Sequence, residues 1–273
     1  MIPKRLLGLA GLLSLWLMAA CQSTPAPLPA ITPTPPPQTL RIGVATAAQS
    51  LTDLVADPFA QFTDRVQVQF VPANTAVLLT DLAAGHLDAV LVHALPADSG
   101  FWFNPVAWDG LVIVVGVDNP AQNLSRAEAQ AVFNGRITNW SSLGEPDQPI
   151  TLLSRERGSG ARTLFEQRIM AEQRLSINAL LLSGNAALLE TVAATPGAVG
   201  YTMLGSVNGV KALSIDGVAP TTASTADESY PLAAPLYFVA PAEPQGELRV
   251  FLSWLQSAEG QAVIGERYGH VRE

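Results

Sequence analysis

From residue 39 onward, apolar positions recur with two alternating periods. Leu40 to Val44 is a short apolar run of the kind a buried strand needs, and Val66, Val68 and Phe70 recur at every second residue. Between them, Leu51, Leu54, Val55, Phe59 and Phe62 fall at helical spacing, with Pro58 expected to kink or shorten that helix. Val77, Leu78 and Leu82 predict a helix capped by Gly85, followed by a strand from Asp88 to Val92. Leu111 to Val117 is long and wholly apolar, as a strand buried on both faces would be. Ser125 and Glu128 have the spacing of a capping box for a helix running to Phe133. Further helices are expected after Ser159, from Asn185 to just before Pro196, and over about 246–256 and 258–267. Gly200 to Thr202 and Pro235 to Ala240 read as strands. This alternation predicts an α/β fold with mostly parallel sheets, built as one large sheet or as two lobes.

The chain before residue 39 has a different pattern. Lys4 and Arg5 precede an apolar run from Leu6 to Ala20, and Cys21 follows directly. That is the layout of a secretory signal over residues 1–20, since an apolar run of roughly fifteen residues is short for a bilayer span. Cys21 is the chain's one cysteine and has no disulfide partner within it. Its place after small residues resembles a bacterial lipobox, which makes Cys21 the expected lipidation site and the protein membrane-anchored outside the cytoplasm. Seven prolines lie between Pro25 and Pro37, so residues 21–38 are expected to form an extended tether rather than part of a core.

The 273 residues, 48% hydrophobic and 14% charged, suffice for a sizeable core, and the net charge is −8. An acidic chain with no broad basic face is a poor fit to nucleic acid. Arginines gathered in one segment of such a chain therefore look placed for a small anion.

That segment is residues 155–165, RERGSGARTLF. Gly158 and Gly160 permit a tight turn, Ser159 sits where a helix N-cap belongs, and the first helical N–H groups lack intrahelical partners. Orphan donors and the positive end of the helix dipole make this geometry receptive to anions. Arg155, Arg157 and Arg162 add guanidinium forks.

Four blocks carry a resemblance. They are Asn104–Val115; Leu124–Gly144 with its FNGRITNW core; the arginine and glycine loop; and Pro196–Tyr201, with Tyr230–Tyr237 and Ser257–Gln261 further on. Together they resemble the phosphate-binding lipoproteins of high-affinity phosphate ABC importers, a family of type II periplasmic-type binding proteins. The resemblance implies two α/β lobes joined by two crossover strands, with a ligand cleft between them and hinge closure. Lobe one would combine 39–112 with 236–273, and lobe two would be 113–235.

Ligand positions carried over from that family are Arg155 as charged donor, Ser159, Gly160 and Ala161 at the helix start, Thr46 in the first loop and His93 on the opposite wall. Ala161 replaces a family threonine, and the first lobe offers few of the family's hydroxyls, with Ala73-Asn74-Thr75 as its second loop. The implied function is capture of inorganic phosphate or a similar oxyanion for an ABC permease, by a monomer without cofactor or metal. The alternative is a degenerate member acting as a surface sensor or interaction protein. Enzymatic roles find little support. Gly158-Ser159-Gly160 lacks the spacing of a nucleophile elbow, and His86, His93 and His270 show no zinc-ligand spacing. Asp109-Gly110 is expected to form a turn into the crossover strand, and Glu156 to pair with Arg157 in solvent.

Overall fold

The apolar runs become strands of one nine-stranded sheet. The computed structural model describes residues 37–271, so the signal, the lipobox cysteine Cys21 and nearly all of the tether lie outside the described residues. Among those described, the strands are β1 (Gln38–Ala45), β2 (Val66–Ala73), β3 (Ala89–Val92), β4 (Trp102–Val115), β5 (Asn123–Leu124), β6 (Thr151–Arg155), β7 (Leu180–Leu182), β8 (Ala198–Met203), β9 (Lys211–Ala212), β10 (Ser214–Ile215) and β11 (Ala233–Ala240). The helices are α1 (Gln49–Phe62), α2 (Thr75–Ala83), α3 (Arg126–Phe133), α4 (Gly160–Phe165), α5 (Asn185–Ala194), α6 (Thr222–Ala226), α7 (Gly246–Gln256) and α8 (Ala258–Ile264).

The main sheet has the order β2-β1-β3-β11-β4-β8-β6-β7, with β9 attached to β4. Its two flanks are parallel: β1 with β2 and β3, and β6 with β7 and β8. The centre is antiparallel, because β11 runs against both β3 and β4, and β4 runs against β8. β4 is long enough to serve both flanks. Residues up to Gly110 pair with β11, and Leu111 to Val115 pair with β8.

Two buried clusters follow from this arrangement. One gathers side chains between Leu111 and Ala234, with Trp140, Phe165 and Tyr201 among the largest, and adds Ala47. The other gathers Leu40 to Ala107 with Leu236 to Tyr268, including Phe59, Phe251 and Trp254, whose rings meet edge to face. The chain thus leaves one core after Ala107 and returns to it at Leu236.

Three local expectations change. α1 is continuous through Pro58, so the proline neither ends nor shortens it. β4 starts at Trp102 rather than Leu111, and Pro105 is accommodated at a register shift where Leu236 opposes Ala107 and Tyr237 opposes Pro105. A proline cannot donate to the ladder, and an irregular step in the pairing is where a sheet tolerates it. α8 ends at Ile264, short of the expected 267. The Ser125–Glu128 capping box forms as the spacing predicts, with the serine backbone N–H 2.8 Å from the glutamate carboxylate.

Ile113 is fully buried where β4 meets β8. Ile113→Ala should lower unfolding free energy by about 2–5 kcal/mol, the usual range for truncating a buried isoleucine. Urea unfolding measures this, and a loss well under 1 kcal/mol would show that the site collapses around the missing atoms.

Candidate functional site

β6 ends on a charged residue that the fold buries almost completely. Arg155 is 1% exposed. Its backbone N–H donates to the Tyr201 hydroxyl at 3.2 Å, and that hydroxyl also lies 2.7 Å from Ser154 Oγ. The Tyr201 ring stacks on Phe165 with centroids 4.0 Å apart, fixing the base of the arginine from below. Burial pushes the Tyr201 hydroxyl's pKa up, more than its hydrogen bonds lower it, so the phenol stays protonated.

The Arg155 guanidinium is held by three hydrogen bonds to two partners. Nε and Nη2 each donate to the Glu156 carboxylate at 3.0 Å, and Nη2 also donates to Thr46 Oγ1 at 3.0 Å. Thr46 belongs to the loop after β1, so this bond ties the two cores together. Nη1 is buried and has no hydrogen-bond partner. A buried donor left unmet costs about 1–3 kcal/mol, more for a charged group, and guanidinium nitrogens can only donate. What this position accommodates is an acceptor.

The loop after Arg155 has the expected form. Gly158 turns with φ +85°, Ser159 caps α4 by accepting from the Arg162 N–H at 3.4 Å, and Gly160 and Ala161 open the helix, both buried. The Gly160 N–H donates to Thr75 Oγ1 at 3.2 Å. Thr75 is the first residue of α2, whose N-cap is Asn74. The Asn74 amide Nδ2 donates to Glu156 Oε1 at 2.9 Å and to the Arg157 carbonyl at 3.2 Å, while the Ala76 N–H donates to the Gly158 carbonyl at 3.1 Å. A Cβ on Gly158 would lie 2.6 Å from Asn74 Oδ1. This side of the loop is therefore packed shut.

Thr46 is thus bonded to Arg155, while Ser159, Gly160 and Ala161 start the helix that follows it and Gly160 meets Thr75. His93 is nearby in sequence terms only through Ala94, whose N lies 3.7 Å from where a Gly160 Cβ would be. The His93 side chain is occupied elsewhere. It is 2% exposed, with Nε2 2.9 Å from Asp109 Oδ2 and Nδ1 buried without a partner. The Asp109 carboxylate also accepts from the Gly110 and Gly205 N–H groups at 2.8 and 3.0 Å. Asp109 and Gly110 lie inside β4, not in a turn, and the aspartate is a buried acceptor joining three segments.

Two further expectations are corrected. The three arginines do not converge: Arg157 is exposed, and Arg162 is spent on Glu166 at 2.7 Å and on the Arg155 carbonyl at 2.9 Å. Glu156 pairs with Arg155 instead of Arg157. Sequence reasoning gave no site role to Glu156, Asn74, Thr75 or Asp109. Asn74-Thr75 carried a usable signal, an N-cap residue before an apolar helix; Glu156 carried none, because adjacent residues in a strand ordinarily face opposite ways.

Burial works against ionisation of Glu156, but the Arg155 hydrogen bonds and charge outweigh it and hold the carboxyl below its ordinary value near 4.5. A lowered pKa means the ionised group adds stability above the unfolded-state value, and that increment is lost as pH falls through the lower folded-state value. Wild type should accordingly exceed Glu156→Gln in stability at pH 7, with the gap closing below about pH 4.5. Urea unfolding at pH 7, 5, 4 and 3 checks this, and a gap independent of pH contradicts it.

Residues 30–259 match the model of the PBP superfamily domain. The phosphate-binding protein PstS of Bacillus subtilis is 33% identical over 168 residues, 61% of this chain and 56% of that protein. The chain therefore spans about half the length of the curated relatives it matches. A putative phosphate ABC transporter substrate-binding protein from Clostridium perfringens, solved with bound phosphate, superposes with TM-score 0.81 at 23% identity, covering 86% of this chain and all of that one. An ABC-type phosphate transport receptor from Vibrio cholerae gives 0.68 at 27% identity over the same shares. The α/β architecture is that of these binding proteins, and with most of its length matched the chain belongs to the PBP superfamily domain family.

Proposed function

We propose that this chain is an extracytoplasmic substrate-binding protein that captures inorganic phosphate or a related oxyanion and presents it to an ABC permease. The observation that carries the reading is the Arg155 guanidinium, buried between the two cores with Nη1 unpartnered. Thr46 and Thr75 reach it or its loop from one core, and Ser159, Gly160 and Ala161 from the other. An oxyanion there would accept from Nη1, from the Ala161 N–H at the start of α4 and from the threonine hydroxyls. The relatives named above, described as phosphate-binding, support the same ligand class.

In this reading the two cores are two lobes, 39–112 with 236–273 and 113–235, and β4 and β11 are the crossovers between them. Opening would part the contacts of Asn74, Ala76 and Thr46 with the 155–160 loop, and closure would remake them around the ligand. The protein works as a monomer without cofactor, tethered through lipidated Cys21.

Calorimetric titration of the mature protein with phosphate, sulfate and molybdate tests the proposal; heat from none of them would sink it. Arg155→Ala should cost about 2–5 kcal/mol of binding, roughly thirty- to several-thousand-fold in affinity, because a desolvated charge loses its partner. Circular dichroism should show the variant folded. Arg157→Ala, at an exposed position, should change affinity less than about threefold. Equal small effects from both would assign Arg155 a purely structural role.

Anchoring is checked separately. Cys21→Ser should release the protein from the membrane fraction with its ligand affinity unchanged, since the proline-rich segment separates anchor from body. Membrane retention of that variant would contradict lipidation at Cys21.

A further inference from the structure

The surroundings of Arg155 are asymmetric. On the Asn74 side the loop is sealed by the contacts to Glu156, Arg157 and Gly158. On the Thr46 side it opens into a groove of about 410 Å³ between the start of α1 and α5. Thr46 belongs to both, because its Oγ1 accepts from Arg155 Nη2 while the residue lines the groove. A substituent on an anion held by Arg155 and Thr46 would meet this groove at its Thr46 end.

Three observations indicate that the groove takes part of the ligand. Its volume falls in the roughly 300–1,000 Å³ range of small-molecule sites, far more than a bare tetrahedral anion needs. Its walls come from both cores, Gln49 and Asp53 on α1 facing Ala186 and Glu190 on α5. The donors around Arg155 are also one-sided: His93 is turned onto Asp109, and Ala161 offers a methyl group in place of a hydroxyl. An oxygen lying on the groove side would turn away from the Arg155 loop and meet the polar side chains that line the groove, Gln49, Asn185 and Asn208 among them. An ester oxygen on that side would be uncharged, and its substituent would lie among these polar side chains.

We propose, resting on the oxyanion reading above, that the cleft accepts small polar phosphomonoesters, with the phosphoryl head on Arg155 and the substituent in the groove between α1 and α5. Asp53 and Glu190 against the single Arg267 give the groove an acidic balance. Hydroxyalkyl and aminoalkyl substituents suit that balance, and carboxylated ones do not.

Titration of the mature protein with inorganic phosphate, glycerol 3-phosphate and phosphoethanolamine tests this, with native mass spectrometry confirming that the intact ester is bound. Both esters should bind at least as tightly as phosphate. Ala186→Trp, which fills the groove from an exposed position on α5 away from Arg155, should weaken the esters about tenfold or more and phosphate less than about twofold. Phosphate binding without ester binding overturns the inference and leaves the oxyanion reading standing. Ester binding that Ala186→Trp leaves unchanged, or weakens in step with phosphate, overturns it as well. Absence of binding by all three compounds defeats both readings together.

Discussion

Two strands carry the whole architecture. β4 and β11 lie antiparallel at the centre of the sheet, and they carry the chain from one core to the other and back. The buried apolar side chains between Leu111 and Ala234 form one core, joined by Ala47, and those of the two ends of the folded chain form the other. Polar groups gather where the cores meet because the apolar interior is interrupted there. Asp109, buried on β4 and satisfied by His93, Gly110 and Gly205, fixes the crossing without exposing a charge. Hydrogen bonds of this kind hold geometry in a place where side-chain packing alone would leave it free to slide.

The elements were largely legible because burial is written in apolar periodicity. Strands such as Leu40–Val44 and the crossover after Leu111 declare themselves, as does the capped helix from Ser125. Where the sequence misleads, a longer-range cause intervenes. Pro58 reads as a residue that kinks or shortens its helix, yet α1 continues past it to Phe62. Residues 102–110 mix tryptophans, a proline and an aspartate, and only pairing with β11 makes them a strand.

The site was legible in its motif and illegible in its partners. Arg155, Ser159 and Gly160 stand in one stretch of chain, and the helix start they form depends on local geometry that sequence encodes directly. Glu156, Asn74 and Thr75 join them through contacts more than eighty residues apart in sequence, apart from the adjacent glutamate. Asp109 looked like a turn residue because Asp-Gly pairs usually are, and the buried partners that keep it inside a strand lie at positions 93 and 205.

The pairing of Arg155 with Glu156 also bears on how quickly an anion could arrive. The buried Arg155 is already balanced by a carboxylate, and the whole chain carries a net charge of −8. At distance an incoming anion therefore meets repulsion rather than guidance, and attraction begins only within hydrogen-bonding reach of the loop. Dissolved salt shortens the range of that repulsion, to about 8 Å at physiological ionic strength. Anion capture at Arg155, as proposed above, would then speed up as ionic strength rises, the reverse of the electrostatic steering that basic clefts exert on the same ions.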